Sequence, residues 1–182
     1  MLNSGHMPDS ASPLTVRRAI VPGPDSGPVG RLVGAYLRQT EHEKAVNLQL
    51  SPVGHDAELP AGYKAEEVDP ESAFGNASVF LAEIDAEAVG VAIARRVGAA
   101  TEIKRLWAEP QVRGRGIGAA LLDAVLQEGP GAVRLSVWDW RTAATRLYES
   151  RGFVTVPSWD GRPRLVCMER VCMERAAVEP HP

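Results

Sequence analysis

The chain has 182 residues, of which 45% are hydrophobic and 24% charged, a balance typical of one globular domain with a continuous core. Its formal net charge of -3 argues against a protein that binds nucleic acid through bulk positive charge. No apolar run approaches the roughly 20 residues that a membrane helix needs, and we recognise no signal peptide. Two cysteines, Cys167 and Cys172, are too few for a disulfide framework and have no metal-site companions. We therefore expect a reduced cytoplasmic protein that does not bind membranes.

Both ends of the chain are expected to lie outside the folded domain. Residues 1–12 mix small and polar residues without periodicity, and we interpret them as a disordered tail that includes a cloning remnant. Near the other end, the pentapeptide Val166–Arg170 is repeated at once as Val171–Arg175. A five-residue repeat has no fold-level period. We therefore predict a single domain over residues 13–170, and a strand extension or tail over residues 171–182.

The first half of the chain is predicted to form a strand, a helix and a three-stranded meander. Leu14–Val21 is rich in β-branched residues and ends at a proline-glycine break, whereas apolar residues recur at helical spacing from Val29 to Lys44. Residues 45–75 contain three prolines and scattered acids, and are predicted as loop plus a short helix. Three strands joined by short turns follow, over Val79–Ile84, Val89–Arg96 and Glu102–Trp107.

The second half is predicted to alternate helices with strands. Gly116–Gln127 is the clearest helix, because its apolar residues share one stripe. The strand Val133–Trp138 precedes a helix over Arg141–Arg151, for which Gly152 is the expected C-cap. The last two strands are predicted over Phe153–Val156 and Leu165–Met168. Hairpins mixed with crossover helices predict an α/β protein with a mixed sheet.

A glycine-rich loop between a predicted strand and a predicted helix gives the clearest indication of function. In Arg113-Gly-Arg-Gly-Ile-Gly118, the glycines lack Cβ, so that ligand atoms can approach the backbone closely. The start of a helix offers unpaired N–H groups and a partial positive charge, to which Arg113 and Arg115 add full charges. The loop therefore favours an anionic ligand such as a phosphate or pyrophosphate.

Two familiar phosphate loops do not fit this segment. A Walker loop ends in Gly-Lys-Ser/Thr, whereas Gly118 is followed by two alanines. A dinucleotide fingerprint has a different glycine spacing and follows the first strand of a βαβ unit. Two alternatives stay open at this point: a tight turn whose glycines serve only the backbone angles, and a different enzyme that binds a nucleotide.

Three segments carry a resemblance to a known family. Arg113-x-x-Gly116-x-Gly118 matches the Arg/Gln-x-x-Gly-x-Gly/Ala signature of the GNAT superfamily of N-acetyltransferases, and Leu147–Phe153 is similar to its Leu-Tyr-x-x-x-Gly-Phe segment. Glu102–Trp107 resembles the strand before the signature in many bacterial members. The resemblance covers residues 14–170. It implies a mixed, mostly antiparallel sheet of about seven strands with a V-shaped splay, flanked by about four helices.

The resemblance implies acetyl-CoA as cosubstrate and no metal. In the family the coenzyme binds where two neighbouring strands splay apart, which here would be Glu102–Ala108 and Val133–Trp138. The strand backbone would pair with the pantetheine arm, and the loop amides would hold the pyrophosphate. Many members have Asn where this chain has Arg141, which could reach a phosphate or be a solvated residue at the helix start. The expected coenzyme-binding residues are Leu106, Trp107, Ala108, Arg113, Gly114, Arg115, Gly116, Ile117, Gly118 and Arg141.

Two residues match the family's catalytic positions. Glu102 is similar in placement to the acidic base, and would deprotonate the amine through a water. Its alternative role is an ordinary strand charge paired with Lys104 or Arg105. Tyr148 matches the tyrosine that protonates the leaving thiolate, and its alternative role is a core tyrosine on an apolar helix face.

The resemblance implies transfer of an acetyl group to a primary amine of a small molecule or peptide. The alternative is a CoA-binding module without catalysis that acts as a sensor or partner. Because dimers are common in the family, a homodimer is one expected state. The acceptor site is expected from residues 45–75 and the turn at Trp159–Asp160. The acids of that stretch would either favour a cationic amine or be merely solvated. They are Asp56, Glu58, Glu66, Glu67, Asp69 and Glu71.

Overall fold

A computed structural model describes residues 12–51, 54 and 58–171, and within them the chain forms seven strands and five α-helices. The strands are Thr15–Arg18 (β1), Ser78–Ile84 (β2), Glu87–Val97 (β3), Ala100–Ala108 (β4), Val133–Trp138 (β5), Val154–Val156 (β6) and Leu165–Arg170 (β7). The helices are Ser26–Asn47 (α1), Ala61–Val68 (α2), Pro70–Phe74 (α3), Ile117–Leu126 (α4) and Thr142–Ser150 (α5). None of these helices is both long and apolar enough to cross a membrane.

Parts of the predicted tails, residues 1–11 and 172–182, lie outside the described residues, and so does Cys172. The first copy of the pentapeptide repeat forms most of β7, where Cys167 is buried and free. The single domain predicted over residues 13–170 contains every described strand and helix.

All seven strands form one sheet in the order β1-β2-β3-β4-β5-β7-β6. Only the β4–β5 pair is parallel, and every other neighbouring pair is antiparallel. The prediction of an α/β fold with a mixed, mostly antiparallel sheet of seven strands is confirmed.

The main difference from the prediction lies between residues 58 and 75, where two helices replace the expected loop and single short helix. The prolines that suggested breaks stand at helix starts instead: Pro60 is the N-cap of α2, and Pro70 begins α3. Proline suits the start of a helix because its missing N–H would have no intrahelical partner there. Asp69 caps α3 by accepting the Ser72 N–H at 3.1 Å.

The sheet separates two hydrophobic cores. On one face α4 and α5 contribute Leu121, Leu122 and Tyr148, and on the other α1 packs Leu32 and Val33 against β2 and β3. At Gly90 an added Cβ would lie 2.9 Å from both Ile117 Cγ2 and the Trp107 carbonyl oxygen. Glycine there permits the close approach that places the start of α4 beside the end of β4.

The only parallel pair of the sheet comes apart halfway along its strands. Residues Thr101–Ile103 of β4 pair with Val133–Leu135 of β5. Beyond these residues the two strands do not pair, although β4 continues to Ala108 and β5 to Trp138. Lys104 is the extra residue of a β-bulge at this point, since β3 pairs with its two neighbours in β4. A bulge bends a strand, so it contributes to the divergence. The predicted V-shaped splay is present.

Candidate active site

A cavity of about 630 Å³ lies between the diverging halves of β4 and β5, bounded by α1, the glycine-rich loop and the start of α5. Its volume is within the range of small-molecule sites. Glu102 and Arg115 do not line it. The predicted site residues that do are Leu106, Trp107, Ala108, Arg113, Gly114, Gly116, Ile117, Gly118, Arg141 and Tyr148.

The inner edge of β4 presents to the cavity backbone groups that no neighbouring strand pairs with. The Glu109 N–H donates to the Val89 carbonyl at 3.0 Å, and in an antiparallel ladder alternate residues bond the same neighbour. The backbone of Trp107 therefore faces β3, whereas Leu106 and Ala108 direct their N–H and C=O groups toward the cavity. An extended ligand that carries amide groups could pair with these two residues as an added strand.

The glycine-rich loop has the conformation that its glycines permit. Gly114 and Gly116 have φ of +78° and +80°, and a Cβ at either would meet no atom within 4 Å. Glycine is therefore required there by the backbone angle, as the tight-turn interpretation expects, and not by crowding. The same turn makes Gly116 the N-cap of α4, and no acceptor among the described residues receives the N–H groups of residues 114–118. Such donors at a helix start suit an anion.

The two arginines of the loop differ in position. Arg113 extends over the cavity, with its guanidinium carbon 4.8 Å from the centre of the Trp107 ring. It donates to the Ala108 carbonyl at 3.3 Å and to Gln39 Oε1 at 3.2 Å, and it has no carboxylate partner among the described residues. Arg115 is exposed outside the cavity.

Arg141 is held by α1 across the cavity and is not solvated, because its side chain is only 18% exposed. Its Nε donates to Glu43 Oε2 and its Nη2 to Thr40 Oγ1, both at 2.7 Å. Gln39 donates to the other oxygen of Glu43 at 2.6 Å. Burial raises the pKa of Glu43, but the hydrogen bonds from Gln39 and Arg141 outweigh burial and hold it below its usual value.

Sequence analysis missed this polar face of α1. Its members, Tyr36, Gln39, Thr40 and Glu43, are spaced by three and four residues, which places them on one side of a helix. That spacing was the available signal.

Tyr148 lies in the wall of the cavity near the end of α5, and its side chain is buried. The Phe153 N–H donates to the Tyr148 carbonyl at 3.2 Å, and the Gly152 N–H donates to the Glu149 carbonyl at 3.0 Å. With Gly152 at φ +82°, these bonds form a Schellman motif, in which Arg151 is the C-cap and Gly152, the predicted C-cap, is the left-handed residue that follows it. Burial, and secondarily Tyr36, raises the pKa of the Tyr148 hydroxyl, while Arg141 opposes the shift. A tyrosine hydroxyl is protonated at neutral pH even at its ordinary pKa, so the shift does not change its protonation state there.

Glu102 lies in β4 before the strands diverge, and both of its oxygens are in ion pairs. Lys104 Nζ is 2.5 Å from one oxygen and Arg134 Nη2 is 2.9 Å from the other. Burial raises the pKa of Glu102, but these partners outweigh burial and lower it below its usual value. The pairing with Lys104 is the one that the alternative interpretation expects, whereas Arg105 pairs with Glu66. The role of Glu102 as a base stays a prediction.

The described acids among those expected to attract a cationic acceptor do not line the cavity. Glu66 pairs with Arg105, and Glu67 with Arg38, at 2.6 and 2.7 Å. Glu71 accepts the Ser26 hydroxyl at 2.8 Å, Asp69 caps α3, and Glu58 is exposed away from the cavity. Asp56 lies outside the described residues. Most of the described acids thus serve contacts within and between helices and strands, and the nature of the acceptor stays a prediction.

Comparison with known proteins identifies the family. The model of the acetyltransferase (GNAT) family matches residues 51–153, more than half of the chain. No curated protein sequence gives a significant match. The chain belongs to the acetyltransferase (GNAT) family, and it is therefore an acyltransferase.

Solved structures share the fold at low sequence identity. The PaiA N-acetyltransferase of Thermoplasma acidophilum in complex with coenzyme A has a TM-score of 0.66 at 17% identity, over 88% of this chain and 99% of that one. A GNAT-family acetyltransferase of Staphylococcus aureus gives 0.61 at 13% identity, over 87% and 98%. The ribosomal-protein-S18-alanine N-acetyltransferase of Escherichia coli gives 0.55 at 19%, over 92% and 99%.

Proposed function

We propose that this enzyme transfers the acetyl group of acetyl-CoA directly to a primary amine of a small molecule or peptide. One observation carries the proposal: the unpaired N–H groups of the glycine-rich loop, the free edge of β4 and the protonated Tyr148 hydroxyl belong to one cavity. Anion-binding amides, a peptide-like edge and a proton donor are what a thioester of a phosphorylated carrier requires. The structurally similar protein crystallised with coenzyme A adds support.

The residues present would hold two parts of the coenzyme, the pantetheine arm and the pyrophosphate. The backbone groups of Leu106 and Ala108 would pair with the amides of the pantetheine arm. The N–H groups of residues 114–118 would bind the pyrophosphate, with Arg113 supplying positive charge. Arg113 now donates to the Ala108 carbonyl, so it would exchange that acceptor for a phosphate. Roles of Arg115 and Arg141 toward other phosphates stay predictions.

The reaction forms a carbon–nitrogen bond and breaks the carbon–sulfur bond of the thioester, which acetyl-CoA supplies. The amine must be neutral to attack, although such amines are protonated at pH 7. We propose that Glu102 receives the amine proton through water, and that Tyr148 gives its proton to the departing sulfur. A phenol carries its proton over the neutral range even at its ordinary pKa, and burial raises the pKa of Tyr148 further.

Release of free thiol from acetyl-CoA in the presence of a panel of amines tests this function, with mass spectrometry to identify the acetylated amine. We expect amine-dependent thiol release. If the chain binds coenzyme A and releases no thiol with any amine, the binding module without catalysis becomes the better description. A thermal shift with ATP or NAD, and none with acetyl-CoA, would identify a nucleotide-binding enzyme instead.

A further inference from the structure

One wall of the cavity combines aromatic rings with cations. We call it the acceptor wall, and it consists of Tyr36, Tyr63, Lys104, Arg105 and Arg162. The guanidinium carbon of Arg105 lies 5.6 Å and 5.8 Å from the ring centres of Tyr36 and Tyr63. The acceptor wall stands where β4 and β5 begin to diverge, whereas the glycine-rich loop follows the far end of β4.

The cavity lining contains six cationic side chains, and all but Arg113 pair with a carboxylate among the described residues. Its cationic side chains are Lys44, Lys104, Arg105, Arg113, Arg141 and Arg162. Among the described lining residues, the only carboxylate is Glu43, which already accepts from Gln39, Trp140 and Arg141. The described lining therefore offers no unengaged carboxylate to an ammonium group.

Two cations of the acceptor wall keep unused donors. Lys104 uses one ion pair, with Glu102, and its side chain is 39% exposed. Arg162 holds Asp160 through Nε and Nη2, and no acceptor among the described residues receives its Nη1. Arg105, in contrast, is occupied by Glu66 and the Lys104 carbonyl and is only 18% exposed. Within the acceptor wall, Lys104 and Arg162 thus have donors left for an incoming anion, each beside the carboxylate that it already holds.

We propose, on the basis of the proposed function, that the acceptor is an amino acid, whose carboxylate is bound by Lys104 and Arg162. Charge-assisted hydrogen bonds from these two groups would bind that carboxylate. Tyr36 and Tyr63 would flank the carbon skeleton of the acceptor.

Matched acceptors test the proposal on the full-length enzyme. Aliphatic, aromatic and acidic amino acids are each compared with their amides and with the amines that lack the carboxyl group, at saturating acetyl-CoA. Dipeptides of the same residues show whether the carboxylate must belong to the free amino acid. We expect kcat/KM to be at least about tenfold higher for the amino acids.

Variants then assign the selectivity to the two cations. In Lys104→Met and Arg162→Met, the preference for the carboxylate over the amide should fall about tenfold, through a higher KM for the amino acid. Arg18→Met is the matched control, because Arg18 pairs with Glu128 and does not line the cavity; it should keep the preference.

The proposal would be overturned if the enzyme turned over amides or polyamines as well as amino acids, or better. It would also be overturned if the enzyme acetylated no amino acid in the panel. Both results come from the wild-type enzyme and do not depend on whether the two variants fold. Retained thiol release with other amines would leave the proposed acetyl transfer standing. If the wild-type enzyme does not bind acetyl-CoA, both the amino-acid acceptor and the proposed acetyl transfer are contradicted.

Discussion

Around Tyr148, side chains from two distant parts of the chain set the properties of one hydroxyl group. Burial and Tyr36 raise its pKa, while Arg141, fixed by Glu43 and Thr40, limits the shift. A raised pKa keeps the phenol protonated but weakens it as an acid. The proposed role of Tyr148 as the acid that protonates the leaving sulfur therefore depends on its place in the cavity wall and not on the shift.

Tyr148→Phe removes the proton and keeps the ring that packs 5.8 Å from Phe153. We expect kcat to fall about a hundredfold, with little change in the affinity for acetyl-CoA. Steady-state kinetics and calorimetry on the same preparation measure the two effects separately. A variant with the kcat of the wild-type enzyme would refute the proposed role.

Glu102→Gln tests the proposed base. Because the pKa of Glu102 is lowered, its carboxylate is ionised from pH 6 to 9, so its loss should reduce kcat by a similar factor across that range. We expect a reduction of about a hundredfold. Arg134→Gln is the control, since it removes a partner of the carboxylate and keeps the carboxylate itself. Rates that stay unchanged from pH 6 to 9 in Glu102→Gln would dismiss the role.

The sequence predicted individual residues where a local constraint identifies them. Gly114 and Gly116 stand out because their left-handed angles admit few other residues. The partners of Arg141 could not be predicted in this way, because Glu43 lies 98 residues away and meets Arg141 only after the sheet has formed. The ion pair between Arg105 and Glu66 could not be predicted either, because the two residues are also far apart in the sequence. This ion pair engages an acid that the sequence had placed in the expected acceptor site.

At the scale of elements, the end of α5 explains why the segment Leu147–Phe153 has its particular residues. Gly152 provides the left-handed turn that ends the helix, and Phe153 returns to pack on the Tyr148 ring. The Schellman motif thus connects the backbone of Tyr148 to the core. This motif was predictable from the glycine, whereas α2 and α3 were not, because prolines at helix starts resemble the prolines of loops.

Gly152→Ala should reduce both stability and activity. A Cβ at φ +82° costs about 1 to 2 kcal/mol, and relaxation of the turn would move Tyr148. Urea unfolding should show this loss of unfolding free energy, together with a lower kcat. Gly161→Ala is the matched control, because that glycine has no positive φ and no atom within 4 Å of an added Cβ. Equal stability of the two variants would contradict the assigned role of Gly152.

At the scale of the whole molecule, the sequence predicted all seven strands. This was possible because the alternation of apolar and polar residues and the turn residues are local signals. These signals did not give the position of β7 between β5 and β6, which depends on contacts between distant strands. The close approach at Gly90 was also beyond a local pattern, although it places the start of α4 beside the edge of β4. The cavity lies where β4 and β5 diverge. Helices from both faces of the sheet line it, α1 from one face and α5 from the other.

The central claim is that this divergence and the glycine-rich loop bind the phosphorylated carrier of the acetyl group. Titration calorimetry of coenzyme A into the full-length chain tests it most directly. We predict saturable binding of one coenzyme per chain, weakened in Gly116→Ala because a Cβ disfavours the φ of +80° at that N-cap. Absence of any heat of binding with the wild-type chain, even at millimolar coenzyme A, would contradict the account.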